Sequence, residues 1–257
     1  MLQFIKRNLT FSTYVGRYKR TFIHELYVLP FLAWLKNQKV IYVLHINKAG
    51  GTSLIAAIKE LQAVKTNTTL LIPLPHKFGL KHISKTAKVA FFIRKPETRF
   101  ASGYENTLRK GHPHYDLTWS KNEALIFQQF PTFDALIEGM NSENVNTQSL
   151  ALSAWTEIKH LSLPYRHYVG DVAYLQENLT RVAFVGEQES FSEDWMEFCR
   201  VFFSEESQGT PRLNALRNDR TVNSSWTRAV ERIYPEEHSI YAILKKRKKE
   251  LKLAGRN

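Results

Sequence analysis

Cysteine is nearly absent from this sequence, since Cys199 is the only one among 257 residues. A single cysteine excludes a disulfide framework and any zinc site built on several thiolates. It is typical of a reducing compartment, and we therefore expect a cytoplasmic location. With 43% hydrophobic and 12% aromatic residues the chain can build a core, which excludes the fibrous and disordered classes.

Long apolar runs are also missing. The longest uncharged one, Leu26–Leu35, has ten residues and is interrupted by Pro30. Because a bilayer-spanning helix needs about 20 residues, this run predicts either a core helix or an interfacial segment with basic flanks. No secretory signal, repeat or Gly/Ser/Pro-rich linker is evident, so we expect residues 1–257 to form one domain.

Acidic residues are in deficit, with 24 Asp+Glu against 36 Lys+Arg and a formal charge of +12. A basic N-terminal extension (1–39) and a basic C-terminal tail (245–257) each hold seven Lys/Arg and one Glu, a net +6. These ends predict peripheral contact with an anionic membrane, without specific nucleic-acid binding. Between them, 40–110 carries +9 and 111–244 carries −9. We interpret the +9 as an anion pocket, because it coincides with the motifs described next.

Short β-branched and aromatic runs alternate with helical patterns along the chain. Alternation of this kind predicts an α/β fold of three layers, with a central parallel sheet flanked by helices. The predicted strands are Val40–Ile46, Val89–Ile93 and Val182–Val185. The predicted helices are Thr52–Leu61, 97–109, 122–139, 147–162, Trp195–Phe203 and Ile233–Lys252, the last fraying from Lys245, and 204–225 is expected to be a loop.

A glycine-rich loop, Asn47–Gly51, joins the first predicted strand to the helix that begins at Thr52. Its two glycines let the backbone bend closely around an anion. The first amides of the helix have no intrahelical partner and carry the positive end of the helix dipole. Lys48 adds a mobile charge, and Thr52 and Ser53 add hydroxyls. The loop therefore predicts a phosphate site, although its lysine precedes the glycines, unlike the pattern GxxxxGK[ST].

A second anion site is predicted at the end of the next strand. Arg94 follows that strand, and Pro96 suits the first turn of the helix after it. Ser102 lies eight residues beyond Arg94, about two helical turns, and is expected to point toward the same anion. A guanidinium and a hydroxyl offer directional contacts to a phosphate. Together with the glycine loop, this pair predicts a ligand that carries two separate anionic groups.

The two segments resemble the paired motifs of sulfotransferases. His45–Leu54 has the sequence HINKAGGTSL and resembles the HIPKTGGTSL-type loop for the 5′-phosphosulfate. Phe92–Tyr104 has the sequence FIRKPETRFASGY and resembles the 3′-phosphate motif RDPxxRxxSxY. The resemblance is to the carbohydrate (heparan-sulfate-type) branch and its bacterial relatives. The chain departs from the motifs at Asn47 (usually Pro), Ala49 (usually Thr) and Lys95 (usually Asp), and no departure removes a charge that the cofactor needs.

The resemblance implies a P-loop-like fold and in-line transfer of a sulfuryl group, without a metal. The donor would be 3′-phosphoadenosine 5′-phosphosulfate (PAPS) and the acceptor a hydroxyl, expected to be on a carbohydrate. Lys48 would neutralise the leaving phosphate, and Arg94 with Ser102 would hold the 3′-phosphate. The remaining cofactor-binding residues implied are Ala49, Gly50, Gly51, Thr52 and Ser53 at the 5′-phosphate, and Arg220, with Asn223 as a second candidate, in a late basic loop.

The acceptor proton requires a general base, and His76 is the leading candidate because it lies between the two motifs. His82 and the carboxylates Glu60 and Glu105 remain alternatives. The segment His112-x-His114-x-Asp116 has metal-like spacing, but a solvated loop is the favoured interpretation. Two other function classes stay open: a P-loop-type nucleotide kinase, and a non-enzymatic basic protein that binds nucleic acid or membrane.

Overall fold

In a computed structural model of the protein, the structure describes residues 23–64, 68–112, 116–203 and 222–255. The predicted α/β architecture is confirmed: helices cover both faces of a central parallel sheet. The helices are α1 (Leu29–Leu35, preceded by a π-helical turn at His24–Val28), α2 (Gly51–Val64), α3 (Pro96–Leu108), α4 (Lys121–Gln129), α5 (Phe133–Gly139), α6 (Val145–Glu157), α7 (Tyr165–Val169), α8 (Val172–Glu177), α9 (Phe191–Phe203), α10 (Ser224–Ile233) and α11 (Glu237–Ala254).

The sheet has four parallel strands in the order β2-β1-β3-β4. They are β1 (Lys39–Leu44), β2 (Thr69–Leu74), β3 (Lys88–Ile93) and β4 (Val182–Glu187). After β1 the chain adds β2 on one side and then β3 on the other, so the strand order reverses between β1 and β3. In open α/β sheets the ligand crevice forms at such a point, outside the carboxyl ends of the strands.

Side chains alternate between the two faces of the sheet and fill a separate core on each. Ile41, Val43 and Phe92 pack with α2 and α9, whereas Tyr42 and Phe91 pack with α7, α8 and α11. A third apolar cluster joins α3 to α4, α5, α6 and α10. Helix α3 therefore contributes one face to this helical cluster and begins at the carboxyl end of β3.

Strand β2 was not predicted from the sequence. Its fifth residue is Pro73, and proline has no N–H for the ladder, so a proline within an apolar run argues against a strand. Here β2 is the outer strand of the sheet, and Pro73 lies opposite Val43 of β1. An edge strand accommodates the missing donor, because only one side of it is paired.

Two helix predictions and one loop prediction were wrong in their boundaries. The helix predicted at 122–139 is divided into α4 and α5, because Pro131 interrupts it and Thr132 caps the second helix through the Ala135 amide. The predicted 147–162 is α6, which is capped by Asn144 and ends at Glu157. The loop predicted at 204–225 lies outside the described residues up to 221, and helix α10 already begins at Ser224.

The helix predicted at Ile233–Lys252 is broken at Pro235, and its basic end does not fray: α11 continues to Ala254. Lys248 Nζ lies 2.5 Å from Asp194 Oδ2 and 2.8 Å from Glu187 Oε1, and Lys252 Nζ lies 3.1 Å from Asp194 Oδ1. Asp194 is fully buried on α9. Basic residues of the C-terminal tail thus fix the last helix to the body of the protein.

The apolar run Leu26–Leu35 is helical, with Ala33 buried and Leu26 and Leu29 packed against the sheet core. Its other side is exposed. Within the described residues, no helix is both long and apolar enough to cross a membrane.

Candidate active site

The glycine loop follows β1 and is shaped by close packing. Lys48 and Gly50 both have a positive φ, of 57° and 83°, a conformation in which glycine is the least strained residue. A side chain at Gly50 would meet the end of the Gln188 side chain, and one at Gly51 would meet the His45 ring. Gly50 is therefore favoured by its positive φ, and Gly51 by its close contact with His45.

The two cations predicted for the two anion sites are neighbours. Arg94 Nη1 lies 3.4 Å from the carbonyl oxygen of Lys48, and Arg94 Nε donates to Thr98 Oγ1 at 3.1 Å. Lys48 Nζ donates to Asn106 Oδ1 at 3.0 Å. Thr98, Ser102 and Asn106 are four residues apart on α3 and so share one face of it. Ser102 is thus on the helix face that both cations contact, between their two partners.

The charge of Lys48 is disfavoured in this position. Burial first, and then the positive charges of Arg94 and Arg109, lower its pKa from 10.5 to about 8. Several cations therefore lie close together, and among the described residues no acidic side chain belongs to the groups that shift the pKa of Lys48. An anion at this position would relieve the repulsion and raise the pKa of Lys48 again.

The main chain of Arg94 is fixed by one tyrosine. The Tyr165 hydroxyl accepts a hydrogen bond from the Arg94 amide at 2.9 Å and donates to the Arg94 carbonyl oxygen at 2.5 Å. Tyr165 is fully buried on α7, and burial raises the pKa of its hydroxyl, which stays protonated. The turn between β3 and α3 is therefore held in one position before any ligand binds.

His76 follows β2, so the ends of three neighbouring strands supply Lys48, His76 and Arg94. His76 Nδ1 lies 2.8 Å from the carbonyl oxygen of His45. A carbonyl only accepts, so Nδ1 carries the proton and Nε2 has the free lone pair. Burial lowers the pKa of His76, which keeps the ring neutral at neutral pH. A neutral imidazole with an orientated Nε2 is able to accept a proton.

Two further imidazoles surround His76. The rings of His45 and His76 have centroids 3.7 Å apart, and His160 interacts electrostatically with Lys48 and His76. Burial above all lowers the pKa of His45 and of His160 to about 3, and the nearby cation Lys48 adds to the effect at His160. His160 Nδ1 is buried without a hydrogen-bond partner. His167 donates from Nε2 to the His76 carbonyl oxygen at 3.0 Å. We call these four residues (His45, His76, His160, His167) the histidine cluster.

The three alternative candidates for the general base lie in different local environments. His82 is exposed and accepts from the Gly79 amide at 3.0 Å through Nδ1, which caps a short turn. Glu60 is exposed on α2, and Glu105 is buried on α3.

Other predicted residues fall partly outside the described chain. Arg220 and His114 lie in the segments that the structure leaves undescribed. Asn223 caps α10 by accepting from the amides of Ser225 and Trp226. His112 Nε2 lies 3.4 Å from Asp116 Oδ1, and both side chains are exposed. Among the described residues, no group of three or more His, Cys, Asp or Glu side chains is placed to hold a metal ion.

Sequence reasoning missed the polar network that supports the site. Arg99 is fully buried on α3 and pairs with Glu237 of α11. It also donates to the Leu163 carbonyl oxygen at 3.0 Å, and the other carboxylate oxygen of Glu237 accepts from the Tyr165 amide at 2.8 Å. The one signal available was an arginine one turn into α3, but its acid partner is 138 residues away.

The profile of a family described as "Sulfotransferase family" matches residues 33–248, which is 216 of the 257 residues. The matched range includes the glycine loop, the histidine cluster, Arg94 and most of α11. No curated protein and no solved structure matches the chain.

Proposed function

The chain belongs to the sulfotransferase family, and on that premise we propose that it transfers a sulfuryl group from PAPS to a hydroxyl group of a carbohydrate acceptor. Family membership supports sulfuryl transfer in general. The identity of the donor, the acceptor and the general base is our proposal. The observation that carries it is the 3.4 Å separation between Arg94 Nη1 and the Lys48 carbonyl oxygen. Two anion-binding elements from two strands thereby serve one crevice, as a nucleotide with phosphates at both ends of its ribose requires.

The residues present fit such a donor. The amides and hydroxyls of Gly50–Ser53, with Ala49 beside them, would hold the 5′-phosphate, as anions are held at helix N-termini. Arg94 and Ser102 would hold the 3′-phosphate. The lowered pKa of Lys48 supports this assignment, because the crevice has an excess of positive charge. Arg220 remains a candidate third cation from the late basic loop.

In this reaction the acceptor oxygen bonds to sulfur as the bond from sulfur to the phosphate oxygen breaks, with no metal required. His76 takes the acceptor proton on Nε2, because its Nδ1 proton is held by the His45 carbonyl. Lys48 stabilises the negative charge that develops on the leaving phosphate oxygen. Arg94, fixed by Tyr165, keeps the nucleotide in position, so that alignment lowers the barrier.

The carbohydrate acceptor is supported by the resemblance of both motifs to the carbohydrate branch. Peripheral contact of the C-terminal tail with a membrane is not proposed, because Lys248 and Lys252 are engaged with Asp194.

Calorimetric titration with 3′-phosphoadenosine 5′-phosphate (PAP), adenosine 5′-phosphate and ATP–Mg²⁺ tests the proposal. We expect PAP to bind in the absence of metal and more tightly than the nucleotide without the 3′-phosphate. Arg94→Ala should abolish this preference, losing roughly 10- to 100-fold in PAP affinity, since charge-assisted hydrogen bonds contribute about 1.5–3 kcal/mol. The matched control is Lys95→Ala, which removes the adjacent, exposed cation.

The outcomes separate the alternatives. If ATP–Mg²⁺ binds and PAP does not, the protein is a nucleotide kinase and the proposal fails. If no nucleotide binds, a basic binding protein becomes the better description. Equal losses in Arg94→Ala and Lys95→Ala would show that the effect is one of general charge and not of a 3′-phosphate site.

A further inference from the structure

The N-terminal helical segment, residues 23–35, has an exposed apolar surface. Of the twelve large apolar side chains that are exposed in the described part of the chain, seven belong to this segment of 13 residues. Trp34 is the most exposed of the seven, at 71%, and its ring stacks on Phe31 with centroids 6.0 Å apart. The set, which we call the outer face, consists of Ile23, Tyr27, Val28, Phe31, Leu32, Trp34 and Leu35.

The same segment is apolar on its inner side. Ala33 is buried, and Leu26 and Leu29 pack against the sheet core. A helix that is apolar all round is ordinarily covered on every side. Contiguous exposed patches that include several aromatic side chains mark contact surfaces for proteins or membranes. The outer face therefore requires an occupant.

Charge around the outer face decides between the occupants. Lys36 and Lys39 follow the segment, and both are exposed. Its single acid, Glu25, is half-buried and faces the charge of Lys59. The chain before it adds five Lys/Arg and no acid in residues 1–22. Two copies of so basic a surface would repel each other, whereas an anionic lipid surface would attract it.

We propose that the outer face of residues 23–35 lies in the interfacial region of an anionic lipid bilayer, with Trp34 and Phe31 inserted among the headgroups. The geometry suits a helix that lies on a membrane: 13 residues are too few to span one, and aromatic rings favour the interface. This proposal is independent of the proposed sulfuryl transfer, because the outer face contains none of the residues assigned to the donor or the base.

Sedimentation of the full chain with vesicles tests the proposal. We expect binding to mixed phosphatidylcholine/phosphatidylserine vesicles to exceed binding to pure phosphatidylcholine by about tenfold or more, and to weaken in high salt. The double variant Phe31→Ser/Trp34→Ser should reduce this binding at least about tenfold. The matched control is Leu125→Ser/Val145→Ser, which removes two apolar side chains that are 56% and 75% exposed elsewhere.

Light scattering and PAP titration of the same variants complete the test. A failure of the wild type to sediment with anionic vesicles, or an equal loss in both double variants, overturns the proposal. A dimer that only Phe31→Ser/Trp34→Ser dissociates, without vesicle binding, assigns the outer face to a second copy instead. PAP affinity should be the same in both double variants and the wild type, so that failure of nucleotide binding is scored separately.

Discussion

Asn47 and Arg99 are hydrogen-bonded in the interior, with Asn47 Oδ1 accepting from Arg99 Nη1 at 2.5 Å. The same asparagine donates through its side-chain Nδ2 to the His160 carbonyl oxygen at 2.9 Å. Its backbone N–H donates to the Tyr168 hydroxyl at 3.3 Å. It occupies the position where the sulfotransferase motif usually has proline. One side chain therefore connects the residue before Lys48 to helix α3 and to the histidine cluster.

Replacing this asparagine should cost stability. In Asn47→Ala, the fully buried Arg99 loses one of its acceptors, and an unsatisfied buried charged donor costs about 1–3 kcal/mol or more. We expect the free energy of unfolding in urea to fall by that amount, with weaker PAP binding because Lys48 is adjacent. Asn122→Ala, on the exposed surface of α4, is the control. If the two variants unfold at the same urea concentration, the hydrogen bond has no net value.

The lowered pKa of Lys48 should make the proposed nucleotide binding dependent on pH. In the free protein this pKa is lowered to about 8, and a bound phosphate would raise it, so binding takes up a proton above that pH. PAP affinity should therefore be constant near pH 7 and fall by up to about tenfold per pH unit well above the pKa. Calorimetry in buffers of different ionisation enthalpy would detect the proton.

Lys48→Arg is the control for this titration. A guanidinium stays charged throughout the range, so the variant should bind PAP with an affinity that does not change between neutral and alkaline pH. A wild-type affinity that is equally independent of pH would contradict the assignment of Lys48 to the phosphate site.

Removal of the proposed base should affect chemistry and leave binding intact. His76→Ala is expected to lower kcat by about 10²–10⁴, the usual contribution of a general base, with little change in PAP affinity. Because burial lowers the pKa of His76 below 6.5, the acid limb of the rate profile should lie below that pH. The measurement is transfer of radiolabelled sulfate from PAPS to an acceptor found by screening hydroxyl compounds.

His82→Ala is the matched control, as it removes a nearby exposed histidine. If His76→Ala keeps wild-type transfer while a variant of His82, Glu60 or Glu105 loses it, the base is the other residue. Loss of PAP binding in His76→Ala would also count against a purely catalytic role.

The buried imidazoles should make the fold sensitive to acid. The pKa values of His45 and His160 are about 3 in the folded protein, against 6.5 for an exposed histidine, so the unfolded chain binds more protons at acid pH. Their contribution to stability is present above pH 6.5 and is lost as the pH falls. Between pH 6.5 and 5 each should lose about 2 kcal/mol, to order of magnitude.

Urea unfolding at neutral and acid pH measures this loss. His160→Gln should make the dependence on pH shallower, whatever it does to stability at neutral pH, while His82→Gln should leave it as in the wild type. A free energy of unfolding that is the same at both pH values would be incompatible with neutral, buried imidazoles.

The sequence was sufficient to predict that Lys48 and Arg94 lie at the same edge of the sheet. Lys48 and Arg94 each follow an apolar strand and precede a helix, and parallel strands necessarily bring such ends to one edge. The support for the site was not predictable in this way. Asn106 meets Lys48 across 58 residues, and Glu237 meets Arg99 across 138. No periodicity records such pairings, since they arise only when the layers pack.

The C-terminal tail illustrates the same limit and leads to a further prediction. A run of lysines suggests a solvated end, yet the Lys248 side chain is only 10% exposed and is paired with Asp194, whose side chain is fully buried. In Lys248→Met the Asp194 carboxylate keeps the more exposed Lys252, Ser190 and the Glu187 amide but loses its shortest contact.

We therefore expect Lys248→Met to lower the free energy of unfolding by about 3 kcal/mol, the lower end of the cost of removing one partner of a buried ion pair. PAP affinity of the folded protein should fall as well, because the Glu187–Ser190 turn carries Gln188 against Gly50 of the glycine loop. Lys249→Met, which removes the neighbouring exposed lysine, should change neither quantity. Urea unfolding and calorimetry on both variants provide the comparison, and equal behaviour of the two would show that the tail acts through total charge and not through its contact with Asp194.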